Sequence, residues 1–532
     1  MESTSNRAAA EPKSIIVVGA GLAGCMMALL LAQRRADVPI KVLENRADWR
    51  SATESTEMIG GVAQVLDAGS RSINLALSER GIVALKKVGL WQAVQSLLLP
   101  MRGRMVHIDA SNGSSTRCNE QLYGTRAGQH INSVSRPGLN DLLLQELAAL
   151  PNVEILFQHK VIRLEHNGAA VRVRVGGKGG EQVVMPALYV IGADGAFSTV
   201  RPMLKFCGAR PHMQERFVRH GYKELCMLPN EDGTHKMSPN YLHIWPRHDF
   251  MLIALPNPDG SFTCTYFGRW DGENGLDKER SIDEIRRFFR QHFADVPTLI
   301  PDFAEQFVSR KASPMMEVRM DPWNAGGRVC LIGDAAHSLV PFYGQGMNCA
   351  FQDALVLDGL LARYGDDSAR AFAEFSRVWR PAADALADLS LANYREMASL
   401  TARPWFSWKK ALERFLTEHV PASGWEPIYS MVSFSTLPYD KALAKAQQQD
   451  RVLKLVGVSL LSVLTAGVAA GVFCWRVKDA ATDDDTAVDA GISTGANGSD
   501  VQGRTIGNML DSAVSRVSSW IPASVRFGSN TN

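Results

Sequence analysis

The first part of the chain has two short apolar runs separated by a longer one. Residues 15–18 and 40–43 are almost entirely apolar, which predicts two buried strands, and residues 22–35 have the length and composition of a helix. A strand, a helix and a second strand in close succession are typical of the unit that opens a nucleotide-binding α/β fold. We therefore expect a parallel sheet built around these first strands.

The apolar pattern further along predicts a second group of strands. Alternation at 241–245, 250–255 and 262–267, with a turn at 256–260, indicates a second sheet that covers one side of a site. Between the two groups, the pattern predicts helices at 81–88 and 139–150 and strands at 153–157, 161–164, 171–175 and 189–191. After them it predicts helices at 349–364, 381–397 and 408–418.

A long apolar run near the C-terminus has the length of a membrane span. Residues 455–475 contain no charged side chain, and as a helix the run would be roughly 30 Å long, the thickness of a hydrocarbon core. A buried helix of a soluble protein is the alternative. Basic residues on both sides, Arg451 and Lys454 before the run and Arg476 and Lys478 after it, favour the span. Two further lysines before the run, with acidic residues beyond it, place the preceding chain on the cytosolic side by the positive-inside rule.

The two ends of the chain predict little fixed structure. Residues 1–13 carry neither the apolar core of a secretory signal nor an arginine-rich transit helix and are expected to be flexible. Residues 476–532 are expected to be mostly disordered, with the acidic, serine- and glycine-rich part at 479–504. Within them, 506–521 has apolar residues at helical spacing, which favours an interfacial or partner-binding helix.

Charge and cysteine usage exclude two classes of site. The net charge is +2 and no block of basic residues follows a helix face, which argues against nucleic-acid binding. The eight cysteines show no metal-ligand spacing and no Cys-x-x-Cys pair, so no metal site is predicted and a reducing compartment fits best.

Candidate chemistry lies in three short glycine motifs. Gly-Ala-Gly-Leu-Ala-Gly at 19–24 follows the first strand, Gly-Ala-Asp-Gly occupies 192–195, and Gly-Asp-Ala-Ala-His occupies 333–337. The first motif lets a strand turn into a helix whose N-terminus receives a pyrophosphate, and Glu44 is placed to bind ribose hydroxyls. Alone it fits a nicotinamide or a flavin dinucleotide. The two later turns favour the flavin.

The ordered motifs resemble those of the single-component flavoprotein aromatic hydroxylases. Four further segments, at 71–78, 101–105, 252–257 and 341–348, are similar to the kynurenine 3-monooxygenases within that family, over residues 14 to about 436. The resemblance implies hydroxylation of L-kynurenine to 3-hydroxykynurenine by O2 through a flavin C4a-hydroperoxide. It implies FAD as the cofactor, NADPH as a transient co-substrate, and anchoring in membrane lipid, in the family the mitochondrial outer membrane.

The residues that would bind FAD are predicted partly from the glycine motifs and partly from the family resemblance. The motifs themselves indicate Gly19, Gly21, Gly24 and Glu44, with Met347 and Asn348 against the ring, and the resemblance implies that the Asp334 carboxylate reaches the ribityl hydroxyls. The resemblance adds Ala23, Leu43, Asn45, Arg46, Ala76, Arg136, Val161 and Thr199. For Val161 and Thr199, ordinary strand and turn roles are nearly as well supported.

An amino-acid substrate needs a fixed cation and apolar walls. Arg104 is the predicted partner of the substrate carboxylate, because a guanidinium matches a carboxylate with two parallel hydrogen bonds, and Tyr123 adds a hydroxyl. The resemblance adds Asn393 and Tyr429 as substrate-binding residues. No catalytic residue is assigned, and His337 is expected to pack beneath the flavin.

The resulting fold prediction is a Rossmann-like FAD-binding domain interleaved with a mixed β-sheet substrate lobe, followed by helices and one transmembrane helix. Its parts are a flexible N-terminus 1–13, FAD-binding segments 14–201 and 319–380, the substrate-lobe sheet 202–318, a helical cover 381–450, the membrane helix 455–475 and the tail 476–532. Two alternatives stay open: a membrane-bound flavin hydroxylase or epoxidase of a lipid or quinone, and a non-enzymatic membrane scaffold that contains FAD.

Overall fold

A computed structural model describes residues 13–484 apart from 52–73, 109–116, 125–127, 178, 366, 396–411, 414, 418 and 420–423. Its strands are β1 Ser14–Val18, β2 Ile40–Leu43, β3 Leu75–Leu77, β4 Leu98–Met101, β5 Gly103–Ile108, β6 Arg117–Leu122, β7 Ile131–Val134, β8 Val153–Leu156, β9 His159–Glu165, β10 Ala170–Val175, β11 Gln182–Gly192, β12 His212–Met227, β13 Tyr241–Arg247, β14 Phe250–Pro256, β15 Phe262–Arg269, β16 Ser313–Asp321, β17 Asn324–Ala325 and β18 Val329–Leu331. Its α-helices are α1 Leu22–Arg34, α2 Glu79–Lys87, α3 Trp91–Val94, α4 Arg136–Ala148, α5 Ile282–His292, α6 Val296–Leu299, α7 Phe303–Ser309, α8 Asp334–His337, α9 Gly346–Arg363, α10 Ser368–Arg395, α11 Ile428–Ser433 and α12 Tyr439–Asp484.

The first sheet is the predicted nucleotide-binding layer. Its main path runs β17-β18-β11-β1-β2-β8, with β9 and β10 attached beside β11. The neighbours β18, β11, β1, β2 and β8 are parallel. A parallel sheet must be covered on its faces by the helices that connect its strands, and helices α1, α9 and α10 supply residues of the main core around it. The carboxyl ends of these strands consequently meet at one edge.

The second sheet has seven strands in the order β16-β12-β15-β14-β13-β5-β6. Strands β5 and β6 come from residues that the sequence analysis assigned to the first FAD-binding segment, but β5 pairs in parallel with β13 and so joins the substrate-lobe sheet. This pairing links strands that are far apart in sequence, which an apolar pattern does not reveal. A small third sheet pairs β3 and β4 with β7.

The two faces of the second sheet pack against different partners. Because side chains alternate along a strand, Leu252 and Ala254 of β14 face a core shared with helices α5 to α7. Met251 and Ile253 point to the opposite face, where they pack with Phe342, which follows the third glycine motif. The second sheet therefore covers that loop, as the alternation predicts.

Several elements differ from the sequence prediction, and three of these differences concern helices. Helix α10 begins at Ser368 and contains Pro381 in its interior. The sequence predicted a helix that starts at Pro381, a residue type favoured in the first turn of a helix. Helix α5 was missed although it has a capping box, in which Ser281 and Glu284 bond each other's backbone N–H groups. The last helix continues to Asp484, so 479–484 are helical where disorder was predicted. Ala480 and Ala481 favour this continuation.

The described residues up to 451 belong to one compact unit, and 452–484 belong to a second. In α12, the stretch Tyr439–Arg476 is long and apolar enough to cross a membrane, with a mean hydropathy of 2.1 and none of its most apolar window buried. The predicted membrane-spanning segment 455–475 is thus helical. Several predicted segments lie outside the described residues. They are the N-terminal 1–12, the segment 53–70 that the sequence predicts to be a variable loop, most of the predicted helix 408–418, and 506–521 with its apolar residues at helical spacing.

Candidate active site

Each glycine motif follows one of three neighbouring parallel strands. Gly19 follows β1, the second motif begins at the last residue of β11, and Gly333 comes shortly after β18. Glu44 directly follows β2. Ligands of open α/β sheets bind outside the carboxyl ends of the strands. The fold therefore brings the motifs to one edge, although more than a hundred residues of sequence separate each from the next.

Close backbone packing explains two of the three glycines in the first motif. A Cβ on Gly19 would lie 2.6 Å from the carbonyl oxygen of Ala193, and a Cβ on Gly24 would lie 1.9 Å from the carbonyl oxygen of Gly19. Gly21 differs, since a Cβ there would meet no atom of the described residues within 4 Å apart from its chain neighbours. Gly21 caps α1 with extended backbone, so the N–H groups of the first turn open onto clear space that a pyrophosphate fits.

Glu44 is held in place as an ionised acceptor. Its side chain is 6% exposed, and its carboxylate accepts hydrogen bonds from the backbone of Ala20 at 3.0 Å and of Arg46 at 2.9 Å. Burial opposes ionisation, but these bonds and the Arg46 guanidinium outweigh it and lower the pKa of Glu44. The carboxylate can accept from ribose hydroxyls at neutral pH.

The third motif forms a turn that a buried carboxylate fixes. Asp353 of α9 accepts hydrogen bonds from Gly333 N at 2.7 Å, from His337 Nε2 at 2.6 Å and from the Trp379 indole at 2.7 Å. Burial lowers the pKa of His337, but the charge and hydrogen bond of Asp353 raise it overall. The His337 imidazole therefore helps to fix the turn.

Asp334 has a different environment from Asp353. Among the described residues, none donates a hydrogen bond to the Asp334 carboxylate, which is partly exposed. The turn that carries it lies beside the first motif, since a Cβ on Gly333 would be 3.1 Å from Ala23. The carboxylate is thus available to accept the ribityl hydroxyls of a flavin.

The loop 341–348 enters helix α9 and contacts strand β3. Asn348 is fully buried, and its amide donates to Ala76 O at 2.8 Å and to Gly344 O at 3.1 Å and accepts from Ser78 N at 3.0 Å. These bonds commit the Asn348 side chain to fixing the loop. Met347, 8% exposed, lies beside it at the start of α9, where the helix dipole favours an anion such as a reduced flavin ring.

The other predicted flavin residues lie in four settings. Leu43, Asn45 and Arg46 surround Glu44, and Arg136 starts α4 after its cap Ser135. Thr199 donates both its backbone N–H and its hydroxyl to Asp194 of the second motif. Val161 is 3% exposed within the main core, so its side chain packs and does not line the edge.

Three of the four predicted substrate residues form one cluster. The Arg104 guanidinium lies 5.5 Å from the Tyr123 ring centre and 5.4 Å from that of Tyr429. The two tyrosine rings stack at 4.9 Å with an interplanar angle of 11°. A cation against the faces of two aromatic rings is electrostatically favourable, and the rings fix its orientation. Tyr343, in the loop before α9, stacks on Tyr429 at 5.8 Å, which joins this cluster to the predicted flavin site.

Burial keeps both tyrosines protonated. It raises the pKa of Tyr123, although the nearby charge of Arg104 opposes the shift, and it raises the pKa of Tyr429 further. Both phenols therefore remain neutral hydrogen-bond donors at physiological pH. Together with Arg104 they provide one permanent positive charge and two hydroxyl groups for an anionic substrate group.

Asn393 lies apart from the cluster, at the loop. It is 6% exposed and donates to the carbonyl oxygen of Phe342 at 2.7 Å. The walls between Asn393 and Arg104 are apolar, because Leu242 and Ile253 pack both with the group around Phe342 and with the group around Tyr123. Apolar walls beside a guanidinium suit a molecule with an aromatic ring and a carboxylate.

The sequence analysis missed Tyr343, Asp353 and Arg80 as residues of this region. Tyr343 lies in a quoted motif, so its aromatic character was the available signal. Asp353 and Arg80 have no local signal, since Arg80 bonds groups 272 to 357 residues away in the chain. Tertiary structure alone identifies them.

Comparisons with known proteins agree with this geometry. Residues 13–372 match the model of the FAD binding domain family. The chain is 40% identical over 457 residues to a kynurenine 3-monooxygenase of Salinispora tropica, covering 86% of this chain and 96% of the relative. It is 37% identical over 481 residues to one of Anopheles gambiae, covering 88% and 90%.

Solved structures support the fold alone. p-Nitrophenol 4-monooxygenase from Pseudomonas putida DLL-E4 has a TM-score of 0.56 at 19% identity, covering 77% of this chain and 95% of that one. The family model and the relatives confirm the predicted cofactor FAD and the FAD-dependent aromatic monooxygenase class, and together with the solved structure they confirm the α/β FAD-binding fold. The open edge at Gly21 and the available Asp334 fit that cofactor. The chain belongs to the kynurenine 3-monooxygenase family.

Proposed function

We propose that this chain hydroxylates L-kynurenine to 3-hydroxykynurenine with NADPH and O2. The observation that carries the proposal is the Arg104, Tyr123 and Tyr429 cluster, joined through Tyr343 to the loop of the flavin site. Kynurenine has the two features that this cluster and its walls select, a carboxylate and an aromatic ring. The names of the relatives support the same substrate.

The chain's own residues bind, orient and shield the substrate. Arg104 would hold the carboxylate with two parallel hydrogen bonds, and the Tyr123 and Tyr429 hydroxyls would donate to its oxygens. Leu242 and Ile253 would contact the aniline ring and exclude water from it. Bound FAD would supply the electrons from NADPH and the activation of O2. The aniline ring is already electron-rich, so no protein base is assigned.

The residues proposed to hold FAD divide by the part of the cofactor they face. The first turn of α1, with Gly19, Gly21, Ala23 and Gly24, would receive the pyrophosphate, and Glu44 with Leu43, Asn45 and Arg46 would hold the adenosine part. Asp334 would accept from the ribityl chain, and Ala76, Met347 and Asn348 would position the ring. Arg136, Val161 and Thr199 stay predictions carried by the resemblance.

Substrate-dependent flavin reduction tests the proposal against its enzymatic alternative. L-Kynurenine should accelerate bleaching of the oxidised flavin by NADPH in anaerobic stopped-flow measurements, because the substrate completes the pocket beside the ring. A lipid or quinone substrate would not use the half-buried cation at Arg104. Acceleration by a polyprenyl quinone or a sterol, with no response to kynurenine, would replace the proposal with the lipid hydroxylase.

We also propose that α12 anchors the enzyme as a single membrane span with the catalytic unit facing the cytosol. Length, apolar composition and the exposure of its described side chains support the span. The basic residues that precede it support the orientation. The family resemblance favours the mitochondrial outer membrane.

Charges in the centre of the span should release the protein from membranes. Leu464 and Val468 lie one helical turn apart and are 65% and 67% exposed, and each lysine at the bilayer centre costs roughly 3 kcal/mol. The double variant Leu464→Lys, Val468→Lys should shift into the alkaline-carbonate supernatant and keep its bound flavin. The matched double alanine variant should stay in the pellet. Extraction of the wild-type chain by carbonate would refute the span.

A further inference from the structure

Arg80 is the most completely buried arginine near the site that the proposed function does not use. It lies in the first turn of α2 and is 0% exposed. Burying a cation is costly unless its donors are satisfied. Its guanidinium donates to Val432 O at 2.7 Å, to Met431 O at 3.3 Å and to Leu437 O at 2.5 Å, and to the Gln352 side chain at 2.9 Å.

Two of the three carbonyl groups that Arg80 binds lie at the C-terminal end of helix α11, where they have no partner within the helix. The last carbonyls of a helix have no partner within it, and Met431 and Val432 lie at the C-terminal end of α11. A helix of only six residues is not stable by itself. Its position therefore depends on tertiary contacts, among them the hydrogen bonds that the Arg80 guanidinium donates to its C-terminal carbonyl groups.

Helix α11 carries Tyr429, the second aromatic wall of the Arg104 cluster. Tyr429 lies in the first turn of α11 and Val432 in its last turn. A cap at one end of so short a helix fixes the place of the ring at the other end. A shift of α11 would separate Tyr429 from Tyr123, with which it now stacks at 4.9 Å.

The same arginine is tied to the loop of the flavin site. Next to Arg80, Ser78 donates its hydroxyl to Gln345 at 3.3 Å and its backbone N–H to Asn348 at 3.0 Å. The Arg80 guanidinium also lies 3.9 Å from the ring centre of Tyr439, whose hydroxyl donates to Gln345 at 3.3 Å. Arg80 is thus the common contact of α2, α9 and the segment 428–439.

We propose that Arg80 is a positioning residue for the substrate pocket: by capping α11 and binding Tyr439, it holds Tyr429 in register with Arg104 and Tyr123. The inference rests on the proposed function only for the identity of the substrate. The positional claim stands on the contacts of Arg80 itself.

The test uses the full-length holoenzyme with Arg80→Met, which keeps the volume and removes the donors. The KM for L-kynurenine should rise about tenfold or more, as expected for losing a charged group's hydrogen bonds to a positioned element, with FAD occupancy unchanged. Arg80→Lys, which keeps the charge and fewer aligned donors, should restore part of the loss. Leu85→Ala, also fully buried on α2, controls for general destabilisation and should lower the melting temperature with KM unchanged.

Hydrogen exchange provides a second readout that needs no substrate. In the Arg80→Met holoenzyme, the amides of 428–433 should exchange faster than in the wild type, and in Leu85→Ala they should not. Unchanged KM and unchanged exchange would overturn the inference, as would equal losses in both variants. If Arg80→Met does not fold, Arg80→Lys is judged by the same two measurements. A wild-type enzyme that ignores kynurenine would refute the proposed function, while the exchange result would still decide the role of Arg80.

Discussion

Replacement of Arg104 by alanine should lower kcat/KM for L-kynurenine by about two orders of magnitude or more. The variant loses the charge-assisted hydrogen bonds to the substrate carboxylate, worth roughly 3 kcal/mol, and leaves that carboxylate beside apolar walls. Arg104→Lys should recover only part of the loss, because an ammonium cannot make the bidentate contact. Steady-state kinetics with NADPH and kynurenine measure the effect.

The neighbouring arginine is the matched control. Arg102 is exposed and lies 5.6 Å from the Tyr241 ring, outside the cluster. Arg102→Ala should keep normal kinetics. If Arg104→Ala also turns over kynurenine at the wild-type rate with FAD bound, the carboxylate is held elsewhere and the pocket assignment is wrong.

Gly21→Val should abolish FAD binding and leave the fold intact. The backbone of Gly21 has φ −78° and ψ 179°, a conformation that valine adopts readily. Apart from its chain neighbours, no atom of the described residues lies within 4 Å of the added Cβ, so we expect the fold to tolerate the change, but the side chain would occupy the approach to the pyrophosphate. Circular dichroism should match the wild type, while flavin absorbance of the purified variant should disappear.

Gly24→Ala, unlike Gly21→Val, is predicted to disturb the fold itself. Its Cβ would lie 1.9 Å from the carbonyl oxygen of Gly19, so the turn between β1 and α1 must move. This variant should lose thermal stability as well as FAD. Flavin retained by Gly21→Val at wild-type stoichiometry would contradict the placement of the pyrophosphate at this turn.

The elements that bind the cofactor could be predicted because their signals are local. The turn at Gly19, the strand end at Glu44 and the turn at Asp334 each combine an apolar strand with a glycine or acidic residue next to it. Parallel strands then bring these local features to one edge. The role of Arg104 stays a prediction, which follows from the resemblance because the amino-acid substrate that it implies requires a fixed cation.

The contacts that assemble the pocket could not be predicted in this way. The pairing of β5 with β13 joins residues that are more than a hundred positions apart and carry no mutual signal. The roles of Arg80 and Asp353 depend on which backbone groups remain open after folding. A buried arginine or aspartate in the sequence looks like a surface residue until the packing around it is known.

Product analysis tests the central claim most directly. Purified full-length holoenzyme is incubated with NADPH, L-kynurenine and isotopically heavy O2, and the products are identified by mass spectrometry. The account predicts 3-hydroxykynurenine that carries one heavy oxygen atom from O2, formed only when kynurenine, NADPH and O2 are all present. Oxidation of NADPH with hydrogen peroxide as the sole product, or a hydroxylated product whose oxygen comes from water, would contradict it.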